Sequence, residues 1–250
     1  VTAGLAVSVL LVLRVATHAK AAAKQESGYL TDMMEGFRYI RDHRYLVSYF
    51  AYVGFFLFLI SPAAFLTPLQ VTRSFGEDVW RLSAIEMVFS VGMMAGGILI
   101  SSWGGFRNRM HTMLFSNLMM ALCAIALALV PSFWLYLLIM GIFGISMPLY
   151  NTPSAVIIQE HVEPDFLGRV FSVLTMLFTS IMPLAMLLFG PVADSLPIEW
   201  LLLGTGGIMV VLGLLVFRNR RLMEAGVPVA RAEVALPVSP EVNGQSGVAG

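Results

Sequence analysis

Glu86 is the residue best placed to carry chemistry in this chain, as the one carboxylate between Arg81 and Arg107 in a stretch with no other charge. An acid inside an apolar helix is costly, about 2.5–3.5 kcal/mol at mid-membrane and less near an edge. Such a group faces a cavity or a partner and suits the binding and release of protons. The plainer alternative is an interfacial glutamate that reaches water or Ser83. The run Pro148-Leu149-Tyr150-Asn151-Thr152-Pro153 comes next. Each proline frees a backbone carbonyl, which is tolerated where a helix lines a cavity or is packed by neighbours. Pro148, Tyr150, Asn151 and Pro153 are therefore candidates for lining a substrate path. The alternative is a structural kink in which Asn151 bonds across helices. Gly92, Gly96 and Gly97 share a segment with Glu86, as Gly141 and Gly144 do with Asn151. Small residues spaced by four let helices approach closely, so packing is their first role and permitting helix motion their second.

No other chemistry is expected. The single Cys123 excludes a disulfide framework, and the four histidines lack ligand spacing. There is no His-Glu-x-x-His, Gly-x-Ser-x-Gly or phosphate-binding loop, so neither catalysis nor a metal or cofactor is predicted. Fifteen basic against fifteen acidic residues argue against a nucleic-acid partner.

The elements that carry these residues follow from composition. Of 250 residues, 58% are hydrophobic and 12% charged, about half the charged share of a soluble domain. A water-soluble globule is excluded, and an integral membrane protein remains. Charge-free stretches long enough for a span of about 20 residues predict six helices, at about 45–70, 82–103, 111–130, 133–158, 168–193 and 197–217. The long stretch between Arg109 and Glu160 divides at Val130-Pro131-Ser132. The segments do not alternate as barrel strands do. The fold class is thus an all-α membrane bundle.

Residues 1–16 read as the end of a preceding span, which makes the chain a fragment of something longer. Residues 17–44 form a cytoplasmic linker whose part 28–44 has amphipathic helical spacing, lying on the membrane or serving only as a connector. Residues 218–250 are predicted to be a disordered tail. Twelve basic residues fall in 17–44, 104–110, the 159–169 turn and the tail, against Arg73 and Arg81 opposite. The positive-inside rule puts the former set, and the C-terminus, in the cytoplasm. Trp80, Trp134 and Trp200 then mark the outer interface, and Trp103 and Tyr45 the inner one.

Four stretches carry a family likeness: Glu35-Gly36-Phe37-Arg38-Tyr39-Ile40-Arg41, Gly97 through Trp103-Gly104-Gly105-Phe106-Arg107-Asn108-Arg109, Gly168-Arg169-Val170-Phe171-Ser172, and Gly190-Pro191-Val192-Ala193-Asp194. On these residues the chain resembles the C-terminal half of a major facilitator superfamily transporter. More narrowly, it is similar to the bacterial drug:proton antiporter branch of enterobactin exporters and macrolide-efflux permeases. The resemblance implies two inverted three-helix repeats, an N-terminal six-helix half as partner, alternating access, and a bacterial inner-membrane location. It also implies a conformational latch at Gly104, Gly105, Arg107 and Arg109, with Gly168 and Arg169 at a related turn. The loop motif's acid is replaced here by Ser101 or Ser102. The plainer role of Arg107 and Arg109 is as positive-inside charges.

The expected function is proton-coupled efflux of an amphipathic small molecule, a drug or siderophore, with Glu86 as the proton-linked group. An uptake permease of the same fold, the membrane domain of an ATP-driven exporter and a non-transporting scaffold are the rivals.

Overall fold

A backbone in lipid must satisfy its polar groups internally, and every regular element among the described residues is helical. The computed structural model describes residues 29–76 and 78–227. The expected earlier span at 1–16, the first part of the linker and the tail from 228 lie outside them.

Helix α1 (Tyr29–Asp42) precedes the bundle. Then come α2 (Arg44–Phe65), α3 (Thr67–Phe75), α4 (Val79–Trp103), α5 (Arg109–Leu129), α6 (Phe133–His161), α7 (Pro164–Ser195) and α8 (Ile198–Arg218), with a short α9 (Arg220–Ala225) last. Taking α2 and α3 as one segment, Arg44–Phe75, six segments among the described residues are long and apolar enough to cross a membrane. At about 1.5 Å per residue, the 25 residues of α4 reach about 37 Å, enough for a hydrocarbon core of about 30 Å.

Local sequence explains the ends. Asn108 caps α5, its side chain accepting from the Met110 amide at 2.9 Å. Gly104 and Gly105 lie at φ +74° and +79°, a pair of left-handed residues that suits glycine and turns the chain between α4 and α5. The break at Leu66 falls two residues before Pro68, which sits in the first turn of α3, where a missing N–H costs nothing. The first span was expected at 45–70. Helix resumes after the break and carries it to Phe75.

The start of the tail, expected to be disordered, instead forms α9, which docks across the start of α5. The first amides of a helix lack internal partners, and here the Arg109 amide donates to the Gly226 carbonyl at 2.8 Å. Asn108 donates through its amide nitrogen to the Met223 carbonyl, also at 2.8 Å, and Leu222 is buried.

The spans pack as an arc. α4 lies on α6, α6 on α5, α5 on α8, α8 on α2, and α2 on α7. α4 and α7, the ends of the arc, are the least buried spans. Across the arc α2 and α6 meet through large side chains: Tyr45 donates to the His161 carbonyl at 2.6 Å, Tyr49 bonds Ser154, and Phe56 stacks on Tyr150 with ring centroids 4.1 Å apart.

Candidate functional site

Glu86 is exposed, two turns inside α4 because the helix begins at Val79. The opposite edge of the helix, Ile85, Gly92, Gly96 and Ile100, is buried and faces α6. On the exposed side, helical spacing aligns Ser83, Glu86, Ser90, Gly97 and Ser101 into one polar stripe. The Ser83 hydroxyl donates to the Val79 carbonyl at 3.3 Å and that of Ser101 to Gly97 at 2.7 Å, so Ser83 does not donate to Glu86. No described residue forms an ion pair with Glu86. The stripe is uncovered, and Glu86 is its one charge.

The glycines divide by environment. A Cβ at Gly92 would strike the Gly141 carbonyl, one at Gly96 the Ile145 carbonyl, and one at Gly144 the Phe89 carbonyl. Those residues let α4 and α6 pack backbone to backbone. Gly97 has nothing within 4 Å of the same point, so it belongs to the open stripe.

Pro148, Tyr150, Asn151 and Pro153 all lie within the continuous helix α6. Tyr150 and Asn151 help line a cavity of about 160 Å³ between α2, α6 and α7, with Phe56, Met147, Phe178 and Met182. Asn151 is exposed, whereas Pro153 and Tyr150 are buried. The Tyr52 and Tyr150 hydroxyls are buried and face each other, with no other hydrogen-bond partner among the described residues. Of the two, Tyr150 lines the cavity. No charged side chain lines the cavity.

At the basic end of the bundle the expected latch residues separate. Arg109 pairs with Glu160 in the last turn of α6, tying α5 to α6 within this bundle. Arg107 is exposed and pairs with no described residue. A Cβ at Gly105 would press on the Thr112 hydroxyl at 2.8 Å, and that hydroxyl accepts from the Phe106 amide at 2.9 Å. The space at Gly104 and Gly168 is open. Arg169 reaches Asp32 at 3.2 Å and Glu35 at 3.0 Å on α1, and its guanidinium lies 5.4 Å from the Phe166 ring. Phe166 in turn stacks on Tyr39 of α1. Arg169 thus fastens the linker helix to α7.

Sequence reading passed over the aromatic seam of α2. Tyr45, Tyr49, Tyr52 and Phe56 follow one another at spacings of four, three and four, which is one helix face. That spacing was the available signal. Among the described residues no group of three or more His, Cys, Asp or Glu could hold a metal ion.

Six apolar spans in an arc, with a polar stripe and an aromatic cavity on uncovered faces, define a multi-pass membrane protein. The family model described as Major Facilitator Superfamily matches residues 1–182 and, in an overlapping second match, 65–244. The chain belongs to the major facilitator superfamily. It is similar to macrolide efflux protein A of Streptococcus pyogenes, with 25% identity over 191 residues, 76% of this chain and 47% of that protein. It is also similar to macrolide efflux protein A of Enterococcus faecalis, with 28% identity over 179 residues, 71% of this chain and 54% of that protein. The chain spans about half the length of the curated relatives it matches. No solved structure matches it.

Proposed function

We propose that the chain is the C-terminal half of a secondary transporter that exports a neutral or cationic amphipathic molecule, such as a macrolide, in exchange for protons. The observation that carries this reading is the uncovered inner surface of the arc. Its cavity is lined by aromatic and thioether side chains together with Tyr150 and Asn151, and Glu86 is the one charge well inside the six spans. An apolar cavity with few convergent polar groups is the usual form of a small-molecule site. With one anion and no cation in the span interiors, an anionic siderophore would meet no compensating charge in this half.

In this reading Asn151 and Tyr150 contact substrate, with Pro148 and Pro153 shaping the backbone beside them. Glu86 takes up and releases the coupled proton. Gly92 and Gly96 keep α4 against α6 while the bundle rocks, and Gly97 leaves space on the moving face. The turn of Gly104, Gly105 and Arg107, and that of Gly168 with Arg169, bias the closed state, while Arg109 holds α5 to α6. The basic end faces the cytoplasm by the positive-inside rule. An N-terminal six-helix half would cover α4 and α7 and complete the path.

The test is accumulation of radiolabelled erythromycin in everted vesicles carrying the full-length protein. The expected outcome is uptake into acidified vesicles that collapses with the pH gradient. Accumulation driven in the opposite direction would make the protein an uptake permease, and dependence on ATP with the gradient intact would contradict secondary transport.

A further inference from the structure

A cleft of about 390 Å³ lies between α5 and α8, away from the cavity of α2, α6 and α7. Leu114, Phe115 and Leu118 form one wall, and Val210, Leu214 and Phe217 the other. Phe115, Leu118, Leu214 and Phe217 are exposed, so the cleft opens on the flank of the bundle. Its inner end is built. The Asn117 amide nitrogen donates to the Met209 carbonyl at 3.3 Å and holds the two helices together. Gly213 leaves room for that amide, because a Cβ there would lie 2.9 Å from it.

The mouth has a different character. Phe106 and His111 line it, and His111 faces Phe217 with ring centroids 6.1 Å apart. Next in sequence to the lining phenylalanines stand Arg107 and Arg218, both exposed and neither paired with a described residue. An apolar cleft on a membrane-facing flank is filled by lipid rather than water, and basic groups at the end of such a cleft select anionic headgroups.

We propose that the α5–α8 cleft binds one anionic phospholipid, an acyl chain lying between the helices and the phosphate held by Arg107 and Arg218. This does not depend on what the inner surface transports. The inner end at Asn117 halts the chain at mid-membrane, and the α5–α8 hydrogen bond keeps the cleft open to receive it.

The test uses the full-length protein in phosphatidylcholine nanodiscs doped with a phosphatidylglycerol whose acyl chain carries a photoactivatable diazirine. Cross-linked peptides are mapped, and lipid retention is followed by native mass spectrometry. Cross-links are expected to concentrate on residues 111–118 and 210–217. Preference for phosphatidylglycerol over phosphatidylcholine should fall about fivefold in each of Arg107→Gln and Arg218→Gln. Leu118→Trp, which fills the cleft, should abolish the cross-links, while Leu138→Trp on the exposed face of α6 should leave them unchanged. Cross-links spread evenly around the bundle, a preference untouched by both arginine substitutions, or retention of oleate with no retention of phosphatidylglycerol would each overturn the proposal.

Discussion

Glu86 and Tyr150 show how a polar group in lipid differs in meaning with its surroundings. Glu86 stands on an uncovered stripe with no ion pair among the described residues, so its charge depends on whatever lies opposite. Tyr150 is fully buried, and its hydroxyl has only that of Tyr52 beside it. Removing one of two hydroxyls that bond only each other loses at most one net hydrogen bond. Tyr150→Phe should therefore lower thermal stability in detergent by no more than about 1 kcal/mol, read from the melting transition. The same variant should weaken apparent substrate affinity in transport, because the hydroxyl's role lies in binding. Glu86→Gln should slow gradient-driven export roughly tenfold, within the range of typical coupling energies, while substrate-substrate exchange at equal pH persists. Equal loss of exchange and net export would make Glu86 a binding residue instead. The isolation of Glu86 was legible from charge spacing alone. The facing hydroxyls of Tyr52 and Tyr150 were not, because they depend on which residues of α2 and α6 face one another across a long sequence separation.

Helix pairs set the next level. The α4–α6 contact depends on glycines whose missing side chains admit a neighbouring carbonyl. Gly96→Leu should destabilise the bundle by about 1–3 kcal/mol through overpacking, seen as a lower melting temperature, whereas Gly97→Leu on the open stripe should not. The spacing of these glycines announced close packing, but it did not distinguish Gly97 from its neighbours, since only the rotation of α4 does so. Arg169 marks a second limit of sequence reading. Its partners Asp32 and Glu35 stand more than a hundred positions away, and nothing local links them. Arg169 is partly buried, so the charge-assisted bonds hold α1 with modest energy. In Arg169→Ala, amide exchange in α1 should quicken roughly fivefold, with the rest of the bundle unchanged. The helix α9 escaped composition-based reading for a similar reason. It is only six residues long, and besides the buried Leu222 its docking is through carbonyls presented to the Arg109 amide and the Asn108 side chain.

At the scale of the whole molecule, hydropathy and charge gaps were enough for six spans, because lipid imposes length and charge limits that few other folds share. They carry no information on which helices touch. The arc, with α4 and α7 at its ends and the tyrosine seam of α2 and α6 between them, comes from packing. That arrangement separates an inner surface, where Asn151 and the Tyr150 cavity lie, from an outer flank where α8 presents Val211, Leu214 and Leu215. The measurement that tests this division most directly is thiol labelling of the full-length protein with Cys123 replaced by Ala. Asn151→Cys and Met182→Cys should react with a membrane-impermeant maleimide and be protected by erythromycin, while Val211→Cys should stay unreactive with or without it. Labelling of Val211→Cys alone, or equal labelling of all three without protection, would contradict a water-filled substrate path along the inner face of the arc.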